Sequence, residues 1–127
     1  MSTVQKLHKE AMDLAEQADL AKLQKDVIQA KALLQRALEL ESQAAQMTAN
    51  DLSAEPTRSV LHRSAASLAI ECGELQSAEK LIATALAGTP PLDIAEELKD
   101  LFVQINLNSY LNRQGIKLTE TQLQLLN

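Results

Sequence analysis

The amino-acid sequence predicts an all-α protein built from antiparallel helical hairpins. The chain has 127 residues with only three glycines and three prolines, and its aromatic residues are Phe102 and Tyr110. Alanine, leucine, glutamine and glutamate favour helices, whereas strands require more β-branched and aromatic residues. A chain of this length forms one domain with its own core. We therefore expect about five helices around a core of alanine and aliphatic residues.

Two long amphipathic helices are predicted first. Over residues 3–23, apolar and small side chains recur every three or four positions, which places them on one helical face. These side chains are Val4, Leu7, Ala11, Leu14, Ala18 and Ala21. Asp26 suits the N-cap of a second helix over 26–47, because its carboxylate can accept a hydrogen bond from a free backbone N–H. The short polar link between the two helices predicts that they pack antiparallel.

The segment 48–56 separates this hairpin from a second one. It contains the turn residues Asn50 and Asp51 and ends at Pro56. Proline suits the first turn of a helix because its missing N–H would be unpaired there. A third helix is therefore predicted over 56–72.

Glycines are expected to end the third and fourth helices. Gly73 follows the third helix, and Gly88 follows the fourth, which is predicted over 75–87. Glycine adopts the left-handed conformation of a helix end without a steric penalty. Pro90 and Pro91 then stop the fourth helix and begin the fifth.

The fifth helix is predicted over 92–113. We expect five of its side chains to face the core: Ile94, Leu98, Leu101, Phe102 and Ile105. Residues 1–113 thus form the predicted helical domain.

Residues 114–127 form a separate tail. Thr119 and Gln122 have the spacing of a capping box, which favours a short helix. The alternation of apolar and polar residues over 117–125 would equally suit an added strand. We expect a short helix or a disordered end.

The second hairpin resembles a tetratricopeptide repeat. The resemblance is clearest over 59–91, SVLHRSAASLAIECGELQSAEKLIATALAGTPP, since that family's unit is a 34-residue helix–turn–helix with small and large residues at fixed offsets. With the turn of the repeat at Gly73, its late small residues fall on Ala78 and Ala85 and its closing proline on Pro90.

The first hairpin carries the same small–large–small pattern at Ala30, Leu34 and Ala37, 48 residues before its counterpart in the second. It is also similar to the three-helix bundles of microtubule-interacting-and-transport domains. Both resemblances imply a protein-interaction module, because stacked hairpins expose a concave face that can bind a peptide or helix of a partner protein.

The tetratricopeptide resemblance also implies which residues face that groove. They are Arg63, Ser67, Ile70 and Glu71 in the second hairpin, and Met12, Ala15, Asp19, Lys22 and Leu23 in the first. Arg63 is the strongest candidate, because a guanidinium can hold a partner's carboxylate through two hydrogen bonds. The alternative is that Arg63 pairs with an acid of its own chain or is simply solvated.

Charge and hydropathy argue against nucleic-acid and membrane binding. The net charge is −5, and the twelve lysines and arginines are scattered among seventeen acids, whereas a nucleic-acid surface needs clustered basic residues. No apolar run approaches the roughly 20 residues that span a bilayer, and no leader pattern is present. We expect a cytoplasmic protein whose partner is another protein.

The sequence lacks the spacings that catalytic and cofactor sites require, so we expect a non-enzyme without metal or cofactor. Cys72 is the only cysteine, and it lies ten residues from His62 on one predicted helix, which is about 15 Å. His8 and His62 lack metal-ligand spacings. Arg58 and His62 share a helix face and could bind an anion together; a packing role is the alternative.

Two further functions remain open. A self-associating bundle could form if the near-heptad stripe of the first hairpin paired with a second copy of the chain. A ligand sensor or small enzyme would need a pocket with convergent polar groups, and a buried His62 with a buried acid around a cavity would favour it.

Overall fold

The computed structural model describes residues 1–116 and 119–125. Within these residues the chain has no strand, which confirms the all-α prediction. Its helices are α1 (Thr3–Leu23), α2 (Val27–Thr48), α3 (Thr57–Glu71), α4 (Leu75–Leu86), α5 (Leu92–Arg113) and α6 (Glu120–Gln124), with a 3₁₀ turn at Leu52–Ala54. None of the described helices is both long enough and apolar enough to cross a membrane.

Side-chain caps explain where several helices begin. The Asp26 carboxylate accepts a hydrogen bond from the Gln29 N–H at 3.1 Å, as predicted for the start of α2. In the tail, the Thr119 hydroxyl and the Gln122 side chain accept from each other's backbone N–H at 3.2 and 2.8 Å. This reciprocal cap confirms the short helix, and the strand alternative is wrong for the described part of the tail.

The turns that close the two hairpins have the same backbone geometry but different residues. Gly73 has φ of 76° after α3, and Lys25 has φ of 61° after α1. In each turn the next N–H donates to a carbonyl five residues back, Glu74 to Ala69 at 2.8 Å and Asp26 to Ala21 at 2.9 Å. Lys25 therefore holds a left-handed position that glycine occupies in the second hairpin.

Alanine dominates the core. Among the described residues, twelve of the twenty buried apolar side chains are alanine. Such small side chains let helix axes approach closely, toward the lower end of the usual 8–10 Å. The centre of the stack is α3, which packs against α2, α4 and α5.

A buried arginine on α3 links the first hairpin to the second. Nε of Arg58 donates to the carbonyl of Ala49, the C-cap of α2, at 2.8 Å. Nη2 donates to the Thr84 carbonyl at 2.8 Å and Nη1 to the Ala85 carbonyl at 3.3 Å, both in the last turn of α4. Carbonyls at a helix end lack intrahelical donors, and the helix dipole favours a cation there. Arg58 therefore has the packing role, and its guanidinium is already engaged by these carbonyls.

Gly88, which follows the end of α4 as predicted, has a steric role. Positive φ occurs at Gly73 and Gly115, and Gly88 does not share it. Instead, a Cβ at position 88 would lie 2.9 Å from Cζ of Arg58 and closer still to Nη1. Glycine is needed here because the guanidinium occupies the space of a side chain.

Lys25→Gly should stabilise the protein by about 1 kcal/mol. A side chain at positive φ costs roughly 1–2 kcal/mol, and the greater freedom of glycine in the unfolded chain offsets part of the gain. Gly73→Ala is the converse control, because only its φ, and no neighbouring atom within 4 Å, opposes a Cβ there. Urea unfolding followed by circular dichroism measures both, and a less stable Lys25→Gly protein would contradict the interpretation.

Arg58 and Gly88 should be energetically coupled. We expect Arg58→Ala to cost about 3 kcal/mol, because it leaves buried carbonyls without donors, and Gly88→Ala to cost roughly 1–3 kcal/mol through overpacking. In the Arg58→Ala background, Gly88→Ala should cost at least about 1 kcal/mol less. The exposed Arg113→Ala is the matched control and should be additive with Gly88→Ala. If the two costs simply add, the contact between the Arg58 guanidinium and a Cβ at position 88 does not determine the cost of Gly88→Ala.

Candidate partner-binding surface

The residues predicted to bind a partner lie mostly along α1 and α3, which run parallel. At the C-terminal ends, Nζ of Lys22 lies 3.1 Å from Oε2 of Glu71 and 3.8 Å from Oδ1 of Asp19. At the N-terminal ends, Leu7 packs against the cluster that contains Leu61. The structure thus brings the two predicted sets of residues onto neighbouring helices.

Arg63 on α3 forms an ion pair with an acid on α5. Its Nη1 lies 2.7 Å from Oε2 of Glu97 on α5, which is the alternative set out for this residue. The Arg63 side chain is 30% exposed, and an ion pair open to solvent contributes about 1 kcal/mol or less. A partner's carboxylate could therefore replace Glu97 at small cost.

Between these pairs the surface is partly apolar. Ser67 and Ile70 are half-buried on α3. Ile70 packs against the buried cluster that contains Leu34 and Leu68, as do Met12 on α1 and Ile105 on α5. We call the surface defined by Lys22, Glu71, Arg63, Glu97, Ser67 and Ile70 the ion-pair face. Both of its basic side chains are paired with acids of the same chain.

A second surface lies on the second half of α5. Phe102, Val103 and Tyr110 are 42%, 49% and 49% exposed. With Leu107 and Arg113 they border a cleft of about 300 Å³. We call Phe102, Val103, Leu107 and Tyr110 the α5 stripe. It contains both aromatic residues of the chain. No pattern in the sequence predicted this surface.

The prediction that Phe102 faces the core is wrong. The inward face of α5 runs through Leu98, Leu101 and Ile105. Leu98 is part of a buried cluster with Ile82 and Ile94, and Leu101 and Ile105 pack against that cluster. Successive residues are rotated by 100° on a helix, so Phe102 lies beside this face and is exposed.

The α5 helix extends past its neighbour. The Arg63–Glu97 pair joins α3 to α5, and Ile105 of α5 packs against the buried cluster that contains Leu68 and Ala69, near the end of α3. The eight residues 106–113 of α5 therefore continue for about 12 Å. Whereas α1 packs on α2 and α3 on α4, the only described helix that follows α5 has five residues.

A buried carboxylate joins the first three helices. Glu41 on α2 is fully buried, and its Oε2 lies 2.8 Å from Nδ1 of His8 on α1. Burial raises the pKa of Glu41, and a hydrogen bond from Ser64 on α3 and the nearby His8 oppose that rise. The arrangement is an interhelical contact inside the bundle.

Nucleophilic and metal-ligating groups are not brought together. Cys72 is half-buried, and its burial, Glu74 and Glu71 all raise the pKa of its thiol, which lowers the fraction of reactive thiolate. Across residues 1–116 and 119–125, no three His, Cys, Asp or Glu side chains are placed to hold a metal ion. His62 is buried and its pKa is lowered, mainly by burial.

No family model, curated protein or solved structure matches this chain.

Glu41→Gln should change how stability depends on pH. A raised pKa in the folded state means that Glu41 favours folding only while it is protonated, and that this contribution is lost as the pH rises through its folded pKa. The glutamine variant should therefore gain stability relative to the wild type as the pH rises above about 4.3, the usual pKa of a glutamate. Urea midpoints at a series of pH values below and above that point measure the difference.

Glu39→Gln is the matched control, since Glu39 is an exposed acid on the same helix. A wild-type and Glu41→Gln pair with parallel pH profiles would show that the Glu41 carboxylate is not disfavoured by its burial.

Proposed function

We propose that this chain is a non-catalytic protein–protein interaction module that binds a helix of a partner protein along the α5 stripe. The proposal depends on one observation: α5 has the position of a first hairpin helix, and its exposed flank carries both aromatic residues of the chain. A helix from another protein would pack on α5 as α4 packs on α3.

The energetics favour such a contact. The terminal helix of a stacked-hairpin protein normally presents a polar outer face, whereas α5 presents Phe102, Val103 and Tyr110. Large aromatic side chains bury roughly 150–250 Å² each, and buried apolar area contributes about 25 cal/mol per Å². Val103, Leu107 and Tyr110 are spaced i, i+4 and i+7, which is the spacing of the apolar anchors in helix-in-groove contacts.

The ion-pair face borders the same helix through Glu97. Under this proposal, Arg63, Ser67, Ile70, Glu71, Asp19 and Lys22 extend the contact toward α1. We also propose that the hairpins are tetratricopeptide-like and that the protein is cytoplasmic, as the sequence predicts.

Self-association is the second candidate. Ala11, Ala18 and Ala21 of the first hairpin's stripe are buried in the core of the chain, so this stripe is not free to pair with a second copy. However, the tip of the hairpin exposes four large apolar side chains: Leu20, Leu23, Val27 and Ile28. These residues provide a patch through which a second copy could bind.

A photo-crosslinking residue at position 103 tests the proposal in the cells that make the protein. We expect adducts from position 103 to map to one helix of one partner and to be absent from the exposed position 83 on α4. Tyr110→Glu should weaken the binding of that partner at least tenfold, about 1.4 kcal/mol. Asn108→Glu, also exposed on α5, should leave it unchanged.

The other outcomes separate the candidates. Adducts only with a second copy, together with a dimer in light scattering at micromolar concentration, would replace the proposal with self-association. Loss of the partner in Arg63→Glu but not in Tyr110→Glu would move the site to the ion-pair face. Equal adducts from positions 103 and 83 would overturn the proposal.

A further inference from the structure

A cleft of about 300 Å³ with a mixed polar and apolar lining lies on another side of the fold, between α2 and α4. Its lining residues are Ser42, Gln46, Ala49, His62, Ser77, Lys80, Leu81 and Thr84. None of them belongs to the α5 stripe or the ion-pair face, so this α2–α4 cleft is a separate feature. Its volume is at the lower end of ligand pockets, which span about 300–1,000 Å³.

His62, which α3 contributes to the cleft, is only 2% exposed. Its Nδ1 lies 2.7 Å from the Arg58 carbonyl oxygen. A carbonyl only accepts hydrogen bonds, so Nδ1 carries the proton. Because burial lowers its pKa, the ring is neutral near pH 7 and Nε2 holds a lone pair.

No donor among the described residues reaches Nε2 of His62. His62 lines the cleft, and its Nε2 is not one of the fully buried polar atoms without a partner, so this nitrogen is open to the cleft. A ligand in the cleft could therefore donate a hydrogen bond to Nε2 in place of solvent.

The charges around the cleft select against cations. Arg58 donates to the carbonyls of Ala49 and Thr84, and both of these residues line the cleft. No carboxylate of the described residues lies within ion-pair distance of Arg58. Lys80 adds an ammonium on α4, and no acid lines the cleft. The charge of Arg58 lowers the pKa of His62, and the weaker influence of Glu55 raises it.

We propose that the α2–α4 cleft binds a small hydroxycarboxylate, whose hydroxyl donates to Nε2 of His62 and whose carboxylate binds Lys80. The hydroxyl follows from the unpaired acceptor, and the carboxylate follows from the ammonium and the lack of a lining acid. Ser42, Ser77 and Gln46 provide further hydrogen-bonding groups. This inference is independent of the proposed function, because it uses other residues. The buried His62 beside a cavity matches half of the pattern set out for a ligand sensor; the buried acid Glu41 does not line this cleft.

Titrations of the full chain with L-malate, followed by amide chemical shifts in NMR spectra, test the inference. We expect saturable shifts at the residues lining the cleft. Succinate, which has the same two carboxylates and no hydroxyl, should bind at least tenfold more weakly. The preference for malate should shrink as the pH falls and His62 becomes protonated, because Nε2 then donates and no longer accepts.

Variants separate the two contacts. His62→Gln should reduce the preference for malate over succinate, and Lys80→Met should weaken both acids at least tenfold. Lys80 is exposed, so its replacement keeps the fold intact; Lys31→Met, exposed on α2, is the matched control and should change neither affinity. Equal binding of malate and succinate, unchanged binding in Lys80→Met, or no saturable shift with either acid would overturn the proposal.

Discussion

The guanidinium of Arg58 is the interaction on which the stacking of the two hairpins depends. The last turns of α2 and α4 both end in carbonyls that have lost their intrahelical donors, and one side chain from α3 satisfies carbonyls in both turns. The close approach that this requires removes the space for a side chain at position 88. It also fixes one end of the α2–α4 cleft. A single buried cation thus links helix termination, core spacing and the shape of the molecular surface.

Local patterns predicted most of the helices, whereas contacts between distant residues had to be seen in the structure. The bounds of α1 and α5 followed from apolar periodicity, and the start of α2 from the Asp26 cap. The partners of Arg58 are backbone carbonyls 9, 26 and 27 residues away, and a carbonyl has no side-chain signature in the sequence. Arg63 pairs with Glu97 34 residues away, and the choice among many acids depended on how α5 packs. Lys25 adopts a positive φ that its residue type does not signal.

The candidate surfaces were less predictable than the helices. Asp19 and Lys22 of α1 do lie beside Glu71 of α3, and this contact joins residues 49 positions apart, which no local pattern encodes. The α5 stripe was not predicted, because the sequence alone does not show whether an apolar side chain next to an inward face is buried or exposed. That depends on where the neighbouring helices lie. Phe102 illustrates this, as it follows Leu101 directly and yet lies outside the core. The cleft at His62 depends on α2, α3 and α4 together, so no single segment encodes it.

The position of Tyr110 determines what intrinsic fluorescence can report on this protein. The chain has no tryptophan and one tyrosine, which is half-exposed near the end of α5, with Cζ of Arg113 6.0 Å from the centre of its ring. Intrinsic fluorescence therefore reads the last turns of α5 rather than the alanine core. The natural protein carries a built-in, single-site probe at the surface where the partner helix is proposed to bind.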